Sequence, residues 1–160
     1  MFDRQGRYVI QNYQNRPPFS SFLPGIAGPL GVPVWCYYNN RGQGVCSFGG
    51  QDKEHAIMEF SPARQAYRDV AKTGFRTFCK VGGTVRELFT RNRDMHIGMS
   101  ELEIVCEQDG MHASALYFGI PGERTAALAR VLTLSNTGAD PVTLELLDGM
   151  PELEPVFISV

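Results

Sequence analysis

In SELEIVCEQ, residues 100–108, charged and apolar side chains take turns. Glu101 and Glu103 stand on one side, with Leu102 and Ile104 on the other. A repeat of two belongs to an extended strand with one face on a core and the other toward water. VTLELL repeats the pattern and puts Val142, Leu144 and Leu146 on one face. Short runs rich in Val, Ile, Tyr, Phe and Thr recur along the chain between turn signals. They read as strands at YVIQNY, VPVWCYY, GVCSFG, HAIMEF, ARQAYRDV, FRTFCKV, TVRELFT, SELEIVCEQ, HASALYFGI, RVLTLSN and VTLELLDG. Some eleven strands at a spacing of roughly 8–12 residues predict a β-sandwich or barrel.

The connecting segments are read by their breakers. In QNRPPFSSFLPGIAGPLGVP, residues 14–33, the prolines and glycines argue against a regular ladder. RNRDMHIG, residues 91–98, is polar enough to be expected as a loop, and TGADP is a turn sequence. GERTAALAR, residues 122–130, has the one stretch of helical propensity, carried by Ala126, Ala127, Leu128 and Ala129. There is no internal repeat and no low-complexity tail.

A chain of 160 residues is one domain's worth, long enough to bury a core without covalent staples. The net charge of −2, with arginines dispersed along the chain, provides no electrostatic footprint for nucleic acid. No apolar run approaches a membrane span, and MFDRQGRYVI does not read as a signal peptide, so a cytoplasmic location is expected. Cys36, Cys46, Cys79 and Cys106 each lie in an apolar strand-like run and show no zinc spacing. Cys36 and Cys46 could face one another across a hairpin, but the expected compartment favours free, buried thiols.

Catalytic patterns are weak. The carboxylates Glu59, Asp69, Glu87, Glu101, Glu103 and Asp148 include no pair that spacing alone assigns to acid–base work. Glu101 and Glu103 read as the solvated face of a strand. His55, His96 and His112 are far apart and lack partners at ligand spacing, so no metal site is expected. Ser47 and Cys46 in GVCSFGG do not match a nucleophile elbow, and the glycines of PGIAGPLG and RGQG open no helix that could cradle phosphate.

VWCYYNNRGQGVCSFGG holds more. Trp35, Tyr37 and Tyr38 stand beside Asn39, Asn40 and Arg41, the residue types that stack on sugar faces and pair with hydroxyls. On a strand, Trp35 and Tyr37 point one way and Cys36 and Tyr38 the other, so one face alone can meet a ligand or partner. Composition favours packing over sugar binding, because large aromatics mostly end in a core or an interface. Trp35, Tyr37, Asn40 and Arg41 are the candidates for carbohydrate or interface contact.

Taken together, PFSSFLPGIAG, GVPVWCYYNNRGQG and KEHAIMEFSPARQAY resemble the opening of the inverting glycoside phosphorylases related to cellobiose phosphorylase. The 1,2-β-oligoglucan phosphorylases are the nearest match in that group. RVLTLSNTGADPVTLELLDGMPE resembles the strands that follow, so the likeness covers most of residues 7–155. The resemblance implies an all-β antiparallel sandwich of the galactose-mutarotase-like supersandwich type, spanning residues 1–160 as the N-terminal part of a larger bacterial enzyme. The parent reaction it implies is inverting phosphorolysis of a β-glucosidic bond, giving α-glucose 1-phosphate with inorganic phosphate as co-substrate and no other cofactor. The family's general acid and phosphate-binding residues lie on a helical barrel that this chain does not contain, so no catalytic residue carries over. The expected role is non-catalytic: dimerisation as a homo-oligomer, and one wall of the entrance through which the whole enzyme takes β-glucooligosaccharide. The alternatives are a stand-alone carbohydrate-binding module and a structural assembly module using the arm at residues 16–33.

Overall fold

The computed structural model describes residues 1–48, 62–153 and 155. Eleven strands form among them: β1 (Tyr8–Ile10), β2 (Ser20–Ala27), β3 (Val32–Asn39), β4 (Val45–Phe48), β5 (Arg76–Val81), β6 (Thr84–Glu87), β7 (Arg93–Ile97), β8 (Glu101–Gln108), β9 (Met111–Ile120), β10 (Ala127–Asn136) and β11 (Leu144–Gly149). They build a five-stranded sheet in the order β1-β7-β8-β9-β10 and two three-stranded sheets, β2-β3-β4 and β11-β5-β6. Every ladder is antiparallel, and no sheet closes into a barrel. The architecture is all-β and sandwich-like.

The period-two reading of residues 100–108 holds. Leu102, Ile104 and Cys106 are buried, while Glu101, Glu103 and Glu107 face away. The main core takes Leu102, Ile104, Met95, Ala115 and Tyr117 from the large sheet, Leu23, Cys36 and Tyr38 from β2–β3, and Cys79 from β5. Both small sheets therefore press against one inner face of the large sheet. Burying these side chains removes apolar surface from water, at about 25 cal/mol per Å².

Four segments fold otherwise than the sequence suggested. Residues 63–70, expected as a strand, lie in helix α1 (Ala63–Thr73), which buries Ala66 and Val70 at a helical interval. Pro62 before its first turn and Gly74 after its last were the available signals. The expected helix at residues 122–130 is instead a turn leading into β10, whose ten register pairs with β9 override the alanines' propensity. The expected loop at residues 91–98 contains β7, held between β1 and β8. The stretch expected to be irregular contains β2, in which Pro24 lies opposite Trp35. That strand is an edge, where a missing proline N–H need not break a ladder. The expected strand at residues 55–60 lies outside the described residues.

The sheet β2-β3-β4 has a core on each side. Cys36 and Tyr38 join the main core, whereas Tyr37 and Val45 form a second cluster with Ala66 and Val70 of α1, flanked by Trp35. The alternation expected along VWCYY is what divides one hairpin between two cores. Within the described residues, no helix is long and apolar enough to cross a membrane.

Candidate functional site

The β3–β4 hairpin disperses its four candidate residues. Tyr37 is buried against α1, and Trp35 is half-buried at the rim of the same cluster. Asn40 is also buried, and its Nδ2 donates to the carbonyl of Arg16 at 2.9 Å. Arg41 is exposed, but it folds onto α1: Nη1 donates to the carbonyls of Tyr67 (3.1 Å) and Arg68 (3.4 Å), and the guanidinium lies 5.3 Å from the Tyr67 ring centroid. Asn39 is fully buried, and its Oδ1 accepts the Arg41 amide at 2.8 Å, fixing the turn. The four residues do not share one solvent-facing platform.

Cys36 and Cys46 sit directly opposite in the β3–β4 register, both as free thiols. Burial pushes Cys46 up to about 11 and raises Cys36, Cys79 and Cys106 as well. Thiols of this kind are poor nucleophiles.

The densest polar arrangement centres on Arg130, which no sequence motif singles out. Arg130 occupies an inner position of β10, in line with Leu128, Leu132 and Leu134, which pack on the core. Its side chain is 6% exposed. Nε donates to the Tyr117 hydroxyl at 3.0 Å, and Nη2 donates to Gln43 Oε1 at 2.7 Å and Thr77 Oγ1 at 3.0 Å. Nη1 forms an ion pair with Asp148. The guanidinium also lies 5.2 Å from the ring centroid of Phe75 and 5.4 Å from that of Tyr117, which meet edge to face. Thr77 donates to Asp148 Oδ1 at 2.7 Å, and Gln43 Nε2 donates to Thr77 at 3.3 Å. Five elements meet at this point: β5, β9, β10, β11 and the β3–β4 turn. An arginine at an apolar position of a period-two strand was the available signal, obscured because Arg130 stands where the alanine-rich stretch 122–130 meets the strand read at 130–136.

Each candidate carboxylate among the described residues has a cationic neighbour. Glu87 takes Arg76 through both oxygens, at 2.8 and 2.6 Å. Arg7 bridges Asp3 (2.9 Å), Glu103 (2.8 Å) and Glu101 (3.6 Å), and His96 Nδ1 lies 3.1 Å from Asp3. Asp69 is 4.0 Å from Arg68, and Glu59 lies outside the described residues. The Arg7 amide and side chain hold the Asp3 carboxyl well below the usual carboxylate range. Such pairing suits positioning and stability better than proton transfer, which needs a carboxyl poised near the working pH. His112 pairs with Glu107 at 2.5 Å, and His55 lies outside the described residues. No three His, Cys, Asp or Glu side chains among the described residues converge as a metal site would require.

Apolar side chains remain on the outside of the small sheet β11-β5-β6. Leu147 pairs with Phe78 across the β11–β5 ladder, and Phe78 pairs with Glu87 of β6. Leu147 is 71% exposed and Val85 64%, with Arg76 stacked 4.8 Å over the Phe78 ring. Compared with models of known protein families and with curated proteins, the chain matches none.

Proposed function

We propose that this chain is a non-catalytic β-sandwich portion of a bacterial, cytoplasmic β-glucan phosphorylase of the inverting type. The resemblance of its ordered segments to 1,2-β-oligoglucan phosphorylases supplies the family. The observation that carries the role is the open outer face of β11-β5-β6, where Leu147 and Val85 meet solvent. The same face carries Phe78 and the ion pairs Arg76–Glu87 and Lys80–Glu145, a mix of apolar and charged side chains that suits a surface another domain or subunit covers.

In this reading the parent enzyme binds a β-glucooligosaccharide and inorganic phosphate. A phosphate oxygen attacks the anomeric carbon with inversion while an acid on the helical barrel protonates the departing oxygen. The sandwich contributes to dimer contact and walls the substrate entrance, and it requires no cofactor of its own. Two measurements test this. The chain alone should release no α-glucose 1-phosphate from β-1,2-glucooligosaccharides and phosphate, and measurable turnover overturns the non-catalytic role. Light scattering should show self-association that Leu147→Glu abolishes. A wild type that stays monomeric at high concentration, or a variant of unchanged mass, removes this face as the contact.

A further inference from the structure

Arg93 stands at an inner position of β7, two residues from the buried Met95. It is 6% exposed, and its guanidinium lies 4.6 Å from the ring centroid of the fully buried Tyr13. Nε is shielded from water and has no hydrogen-bond partner. No carboxylate among the described residues forms an ion pair with Arg93, in contrast to Arg7, Arg76 and Arg130. A buried charge is ordinarily paired, because leaving water without a partner is strongly unfavourable.

Arg93 lines a cleft of about 250 Å³ together with Arg41, Gln43, Arg76, Glu87 and Thr90. Three arginines and one glutamate thus line it, and that glutamate is already occupied by Arg76. The local positive charge stands out on a molecule whose net charge is −2. Phe89, on the same wall, is buried with a left-handed backbone (φ 57°), a conformation rarely adopted by a bulky residue. The volume is below the usual range for drug-sized ligands and fits a small acid better than a glucan.

We propose that this cleft binds a small oxoanion, a phosphoryl or carboxylate group. Arg93 is the inner cation, and Arg41 and Arg76 close the rim. A guanidinium presents a planar fork that matches either group through two hydrogen bonds. The inference is independent of the assembly role above, because it concerns binding by this chain alone.

Thermal unfolding of the whole chain tests it, titrated with inorganic phosphate, sulfate or acetate against sodium chloride at matched ionic strength. At least one oxoanion should raise the Tm saturably beyond chloride. Phosphate and sulfate without acetate would identify a phosphoryl ligand, and acetate a carboxylate one. Arg93→Lys keeps the charge but loses the fork, and should weaken binding about tenfold. Arg91→Lys, at an exposed site paired with Asp109 outside the cleft, should leave binding unchanged. The proposal is overturned if no oxoanion exceeds chloride on the wild type, or if Arg93→Lys binds as the wild type does. The wild-type titration decides the first point even should the variant fail to fold.

Discussion

Replacing Arg130 by methionine keeps much of its volume and removes the charge at the meeting point of five elements. Severing a buried ion pair from one side costs about 3–5 kcal/mol. The neighbours here are partly insured. Tyr117 can still donate to Gln43 at 3.3 Å, Thr77 still donates to Asp148, and Gln43 still donates to Thr77. Asp148, the charge left behind, has a side chain 25% exposed, so water can reach it. These features place the loss at the lower end, about 3 kcal/mol, or roughly 6–12 °C in Tm for a chain of this size. Asp148→Asn keeps an acceptor for Thr77 and should lose less, about 1–2 kcal/mol. The double variant should then fall short of the summed losses by about 1 kcal/mol or more, since both remove the same pair. Urea unfolding followed by the fluorescence of Trp35, the sole tryptophan, measures all three. An Arg130→Met loss under about 0.5 kcal/mol, or strict additivity, would refute the view that this network ties the sheets together.

Other outcomes follow from the same geometry. A Cβ at Gly25 would lie 2.4 Å from the backbone oxygen of Val34, so Gly25→Ala should destabilise by about 3 kcal/mol in the same urea assay, and a silent substitution would contradict the β2–β3 register. Asp3 is held below its ordinary value of 3.8, chiefly by the Arg7 amide, so its contribution is complete above the unfolded pKa and fades as pH falls through the folded one. The stability gap between wild type and Asp3→Asn should therefore be flat above about pH 5 and close in acid, and a gap that widens in acid would reverse the assignment. With the Cys46 thiol near 11, about one molecule in a thousand carries its thiolate at pH 8. Iodoacetamide should accordingly spare all four cysteines in the native protein and label four in urea, as mass spectrometry would show.

The sequence by itself determined the fold class and the division of faces. Leu102 and Ile104 against Glu101 and Glu103, and Trp35 and Tyr37 against Cys36 and Tyr38, sort correctly because side-chain direction in a strand is a local property with a period of two. The helix at Ala63–Thr73 was also written locally, in Pro62, Gly74 and the spacing of Ala66 and Val70, though its aromatic and β-branched residues suggested a strand. Tertiary structure decided the rest. The edge position of β2 makes Pro24 tolerable, and ten register pairs draw the alanine-rich approach to Arg130 into a strand rather than a helix. The polar centre and the cleft were out of reach for the same reason. Arg130 and Arg93 each interrupt an apolar face, so β7 reads as a loop and β10 reads as beginning at Arg130, three residues late. What pairs with Arg130, and what leaves Arg93 without a carboxylate, depends on residues distant in the chain, such as Gln43, Thr77 and Asp148 around Arg130. Alternation along one strand records which side of a sheet is dry, whereas the meeting of several sheets decides whether a charge on that side finds a partner.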